Sequence, residues 1–102
     1  MAWFVKTETF TAQTAALSIE QRRPFLEAHR HWLAQHIGFG RRIRSGFLVD
    51  DQRRPGGGGL LIFQASSYAD ALDWVSQDPM IVEGLVAWQL QEWIPVTGDD
   101  WP

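Results

Sequence analysis

The apolar and polar positions of this 102-residue chain follow two periods, one typical of strands and one typical of helices. Residues 2–10 are rich in aromatic, β-branched and threonine side chains with a period of about two, which predicts a strand. After a polar connection, the sequence Ser18-Ile19-Glu20-Gln21 predicts a capping box that begins a helix. Apolar residues then recur at helical spacing to about Ile37, and Gly38 and Gly40 predict the helix end.

The second half of the chain contains three strand patterns and one further helix. Residues 42–49 predict a strand, residues 50–59 a polar, glycine-rich loop, and residues 60–63 a central strand, because they are continuously apolar. Ser66 or Ser67 begins the next helix. Pro79 ends it, because the residue before a proline is disfavoured in the helical conformation. Residues 79–84 predict one short helical turn, and residues 85–96 the last strand.

The resulting order of elements is β-α-β-β-α-β, and each β-α-β half requires a right-handed crossover. A four-stranded antiparallel sheet with both helices on one face satisfies this requirement, so we predict an α+β, ferredoxin-like fold. We predict one domain over residues 1–97 and a C-terminal tail over residues 98–102. The other face of the sheet lacks a helix. Together with six Trp and six Phe residues, this predicts a homodimer through the open sheet face.

Charge and composition narrow the classes of function. The net charge of −3 and a pI of about 5.5 argue against nucleic-acid binding. No apolar run approaches the roughly 20 residues of a membrane-spanning helix, and the N-terminus lacks a signal-peptide pattern. The absence of cysteine excludes disulfides, thiolate metal sites and a cysteine nucleophile. We therefore expect a cytoplasmic protein that binds neither nucleic acid nor a membrane.

Two further patterns have plain structural explanations. The glycines at positions 56–59 follow a predicted loop and precede a strand, whereas a phosphate-binding loop follows a strand and opens a helix. A flexible hairpin connection is therefore expected. Arg42 and Arg44 alternate along the second strand, where they either form a solvated face or bind an anionic substrate.

All three histidines lie in the first predicted helix. His29 lies in the middle of its apolar face, one turn before Trp32 and Leu33. His36 lies on the same stripe near the helix end, and His31 points to the opposite, solvated side. Because the three side chains do not converge, no metal site is predicted.

His29 has two interpretations. A histidine on an apolar helix face is often a hydrogen-bonded core residue. Asp78, however, directly precedes Pro79 at the end of the second helix, which lies beside the first helix in this fold. A carboxylate that accepts the imidazole N–H fixes the tautomer and leaves the other ring nitrogen as a base. Otherwise Asp78 is only part of a helix-terminating Asp-Pro turn.

The chain resembles the YCII (YciI-like) family over about residues 2–97. The matching residues are His29-Arg-His-Trp-Leu33, Gly40, Ser45-Gly46, Gly58-Gly-Leu-Leu-Ile62, Asp78-Pro79, Gly84-Leu85 and Glu92-Trp-Ile-Pro95. The resemblance implies a dimeric α+β barrel, with His29 and Asp78 as the catalytic pair in a cleft near the dimer interface. Beside this pair, we predict a substrate site that includes Trp32, Arg44, Ser45, Gly46 and Phe47.

Two positions depart from the family pattern. Phe47 stands where the family usually has proline, which changes the pocket wall. Leu26 stands where an arginine often precedes the histidine by three residues, which argues against an acidic substrate unless Arg42 or Arg44 replaces that arginine.

The sequence supports two hypotheses of function. The first is an enzyme that performs isomerase- or lyase-type acid–base chemistry on a small organic molecule through His29 and Asp78, without a cofactor. The alternative is a non-catalytic domain for small-molecule binding or assembly. A cleft filled by Phe47 or Trp side chains would favour the alternative, and an open cleft lined by His29 would favour the enzyme.

Overall fold

The computed structural model describes residues 1–99 and confirms the α+β, ferredoxin-like arrangement. Four strands form one sheet: β1 (Ala2–Phe10), β2 (Ile43–Val49), β3 (Pro55–Ala65) and β4 (Val86–Trp93). The helices are α1 (Ala12–Ala16), α2 (Ile19–Gly38), α3 (Tyr68–Val75) and α4 (Pro79–Val82). Of the predicted tail, residues 100–102 lie outside the described residues. Within residues 1–99, no helix is long and apolar enough to cross a membrane.

The strand order is β2-β3-β1-β4, and every neighbouring pair is antiparallel. β1 is therefore a central strand, hydrogen-bonded to β3 on one side and to β4 on the other. Because side chains alternate along a strand, Phe4 and Lys6 face one side of the sheet, and Val5 and Thr7 face the other.

Both long helices pack on the Phe4 side of the sheet, where the core lies. Phe4 and Phe63 are fully buried there, with ring centroids 6.0 Å apart. Trp32 of α2 stacks on Trp74 of α3 at 4.6 Å, so the two helices meet above the sheet. This arrangement places the end of α3 and the whole of α4 beside α2.

The predicted helix starts are confirmed. The Ser18 side chain accepts a hydrogen bond from the Gln21 N–H, and the Gln21 side chain accepts one from the Ser18 N–H. Ser67, rather than Ser66, is the N-cap of α3. These caps depend on residues three positions apart, so they can be recognised without the tertiary structure.

The prediction of a loop over residues 50–59 is wrong for its glycine-rich half. Gly58 and Gly59 belong to β3, where they pair with Thr9 and Glu8 of β1. The turn is confined to residues 50–54, and the Asp50 side chain holds it by accepting N–H groups of Gln52 and Arg54. Gly59 also pairs with Phe47 of β2, so pairing on both sides supplies the order that glycine itself lacks.

Candidate active site

A buried lysine on β1 organises the candidate site. Lys6 is completely buried, and its ammonium lies 2.7 Å from Asp78 Oδ2 and 2.9 Å from Glu8 Oε1. Glu8 follows Lys6 on the same face of the strand, and its side chain is 12% exposed. A buried ammonium requires such partners, because removing the charge from water is costly unless it is paired.

Asp78 is the N-cap of α4, and Pro79 occupies the first helical position. Asp78 Oδ1 accepts the Met80 N–H at 2.9 Å, as expected of a capping aspartate. The same oxygen lies 2.8 Å from Nδ1 of His29 on α2. Because α4 packs against α2, the capping carboxylate is brought directly to the histidine. His29 and Asp78 therefore meet as predicted, although Asp78 begins α4 as its N-cap and does not end α3.

The Asp78 carboxylate is ionised despite its burial. Burial alone raises its pKa, but the hydrogen bond from His29 and the positive charge of Lys6 lower it more, so the pKa lies below the ordinary value. An ionised carboxylate can only accept hydrogen bonds. His29 Nδ1–H is consequently the donor, and Nε2 is the ring nitrogen that does not contact the carboxylate.

His29 lines a cavity of about 590 Å³ between α2 and the sheet. Its walls combine aliphatic and aromatic side chains with a small number of polar groups, as in many small-molecule sites. The apolar walls include Phe10, Leu26, Leu33, Leu61 and Met80, and the polar lining includes Glu8, Arg22, His29 and Arg30.

Glycines of β3 make room on the sheet side of this cavity. A Cβ atom on Gly59 would lie 3.1 Å from Cγ of Glu8, and one on Gly57 would lie 3.1 Å from the Phe10 ring. Gly57 also has a φ of +78°, which favours glycine. The glycine run thus allows the Glu8 and Phe10 side chains to lie over the strand.

Three of the five predicted substrate-binding residues line the cavity. These are Ser45, Gly46 and Phe47 of β2. Phe47 is 69% exposed, so it forms part of the wall without filling the cavity.

The other two predicted substrate-binding residues lie elsewhere. Trp32 is buried in the core against Trp74, and Arg44 is exposed beside Ile62 of β3, on the face of the sheet without helices. Within residues 1–99, neither belongs to the cavity lining. The cationic side chains of the lining are instead Arg22 and Arg30 of α2.

The remaining histidines are separate from the site. His31 is exposed, as predicted. His36 accepts a hydrogen bond from the Trp74 indole, with 3.1 Å between Nδ1 and Nε1. Burial and the nearby Arg41 charge lower the pKa of His36, which favours its neutral form.

Sequence reasoning missed Lys6 and Glu8. Their signal is weak: two charged residues two positions apart, on the same strand face as Phe4 and Phe10. Both faces of β1 carry aromatic or β-branched residues, so alternation alone does not show which face the helices cover.

Comparison with known proteins assigns the family. A sequence profile of the YCII-related domain matches residues 4–94. The chain belongs to the YCII-related family. Among solved structures it is similar to 5-chloro-2-hydroxyhydroquinone dehydrochlorinase (TftG) of Burkholderia phenoliruptrix, determined in complex with 2,5-dihydroxybenzoquinone. The TM-score is 0.67 at 21% identity, over 90% of this chain and 93% of the other. No protein with a curated description matches the chain in sequence.

Proposed function

We propose that this YCII-related protein is an enzyme that performs isomerase- or lyase-type proton transfer on a small organic molecule. The observation that carries the proposal is the 2.8 Å contact between His29 Nδ1 and the buried Asp78 carboxylate, at the wall of an open cavity. A histidine with only a core role would not require a cavity beside it. The proposed chemistry uses no cofactor.

His29 acts as the base in this proposal, and Asp78 orients it. With Nδ1–H donated to Asp78, Nε2 removes a proton from the substrate, and the carboxylate stabilises the imidazolium that forms. In an isomerisation, His29 returns the proton to another atom of the substrate. In an elimination, a leaving group departs from the neighbouring carbon.

The similarity to a dehydrochlorinase supports elimination rather than isomerisation as the reaction. That enzyme acts on 5-chloro-2-hydroxyhydroquinone, a small hydroxylated aromatic compound. The apolar walls of the present cavity suit a ring of this size, and its volume of about 590 Å³ is within the usual range for small-molecule sites. Small hydroxylated aromatic compounds are therefore the first substrates to test.

The test compares the wild type with His29→Gln, Asp78→Asn and the control His31→Gln. Each protein is incubated with 5-chloro-2-hydroxyhydroquinone and related chlorinated phenols, and chloride release is measured. We expect turnover by the wild type and His31→Gln, and a loss of at least a hundredfold in His29→Gln. Equal turnover by the wild type and His29→Gln would contradict the proposal. Binding of these compounds without turnover would favour the non-catalytic alternative.

We also propose that the protein is a homodimer through the open sheet face. Val5 lies at the centre of this face, and the buried core residues that α2 and α3 contribute lie with Phe4 on the opposite face. Light scattering after size-exclusion chromatography should give twice the chain mass for the wild type and the control Glu27→Lys, and the chain mass for Val5→Lys. A monomeric wild type would contradict this proposal.

A cytoplasmic location stays a prediction from the sequence.

A further inference from the structure

We propose that Glu8 is a second ligand-binding residue of the cavity, and that it accepts a hydrogen bond from a hydroxyl group of an uncharged ligand. Lys6 and Gly59 position its carboxylate. This inference rests on the proposed function, because it requires that the cavity be a ligand site.

A continuous series of contacts connects Glu8 with His29 through the protein interior. His29 Nδ1 is 2.8 Å from Asp78 Oδ1, Asp78 Oδ2 is 2.7 Å from Lys6 Nζ, and Lys6 Nζ is 2.9 Å from Glu8 Oε1. Both ends of the series line the cavity, whereas Asp78 and Lys6 are wholly buried. Lys6 therefore orients two carboxylates at once, one behind His29 and one at the ligand.

The placement of Glu8 depends on the absence of a side chain at position 59. Gly59 lies directly opposite Glu8 in the β1–β3 pairing, and a Cβ there would approach Glu8 Cγ to 3.1 Å. An alanine would require the Glu8 side chain, whose Oε1 would lie 3.4 Å from that Cβ, to shift by a few tenths of an ångström. Gly56 provides a matched control in the same glycine run, because a Cβ at that position would have no neighbour within 4 Å.

The chemistry of Glu8 indicates the class of ligand. A carboxylate paired with a single ammonium is a strong hydrogen-bond acceptor and disfavours a second anion beside it. A phenolic hydroxyl stays protonated at neutral pH and is a suitable donor. Arg22, whose guanidinium lies 5.2 Å from the Phe10 ring centroid, and Arg30 also line the cavity, so preference for an anion is the competing result.

Three probes of similar size separate these possibilities: hydroquinone, 1,4-dimethoxybenzene and terephthalate. Dissociation constants are measured by NMR titration of the wild type, Glu8→Gln, Gly59→Ala and Gly56→Ala. We expect the wild type and Gly56→Ala to bind hydroquinone about tenfold more tightly than 1,4-dimethoxybenzene. Glu8→Gln should lose most of this difference and Gly59→Ala part of it, in each case because hydroquinone binds more weakly.

The following outcomes would contradict the inference about Glu8. Equal hydroquinone affinity in the wild type and Glu8→Gln, or tighter binding of terephthalate than of hydroquinone, would overturn the role of Glu8 and leave the His29 proposal standing. Failure of all three probes to bind the folded wild type would overturn the use of this cavity for such ligands, and with it the Glu8 inference. Chloride release by the wild type would still support the His29 proposal.

Discussion

Lys6 Nζ lies 2.7 Å from Asp78 Oδ2, and both side chains are fully buried. This ion pair joins the central strand to the N-cap of α4, and it fixes the carboxylate that contacts His29. Desolvation of two charges is costly, so the pair is weak support for stability in itself. Replacing only one of the two residues is strongly destabilising, because the other charge is then left buried with fewer partners.

Asp78→Asn should lower the free energy of unfolding by about 3–5 kcal/mol, because Lys6 loses its closest negative partner. The measurement is urea denaturation at neutral pH. Asp73→Asn, an exposed position on α3, serves as the control and should change stability by less than about 0.5 kcal/mol. Equal stabilities of the two variants would show that the ion pair of Lys6 and Asp78 is not required for the stability of the fold.

The stability of the wild type should fall in acid more steeply than that of Asp78→Asn. The folded-state pKa of Asp78 lies below its ordinary value, so its contribution is complete above the unfolded pKa of about 3.9 and is lost as the pH falls through the folded pKa. Unfolding free energies measured from pH 6 downward should therefore converge in acid. Asp50, whose pKa is also lowered by its own hydrogen bonds, is present in both proteins and cancels in the comparison. Parallel curves would contradict this assignment.

Lys6→Met and Asp78→Asn should be strongly non-additive. Each single change leaves a charge poorly compensated, whereas the double variant removes both charges. We expect the double variant to be more stable than the sum of the single changes implies, by roughly 0.5–3 kcal/mol in a double-mutant cycle. Additive changes would mean that the two residues stabilise the fold independently.

Trp32→Ala should destabilise the fold by about 3–5 kcal/mol, because the indole is buried and stacked on Trp74. Phe39→Ala, at an 82% exposed position, is the matched aromatic control and should cost less than about 1 kcal/mol. Denaturation measures the stability, and NMR titration with hydroquinone measures ligand binding. A stable Trp32→Ala protein with weakened binding would instead support the substrate-binding role predicted for Trp32.

Local patterns predicted most of the fold. The β1 strand, the Ser18 capping box and the Pro79 helix start depend on neighbouring residues, so they could be recognised in the chain. Of the glycines at positions 56–59, Gly58 and Gly59 were misassigned because they pair with Thr9 and Glu8 of β1, about fifty residues away in sequence. Glycine has no local preference that would show this pairing.

For the candidate site, the sequence by itself determined that His29 would lie on an apolar helix face and that Asp78 would stand at a helix boundary before a proline. Only the tertiary structure decided that Asp78 also binds Lys6, that Glu8 lies at the cavity, and that Trp32 belongs to the core. The physical reason is that periodicity specifies one element at a time. Whether a charge is buried, and what shape a cavity has, depends on which strand faces the helices cover. The cavity also depends on where a side chain is absent and leaves space, as at Gly59.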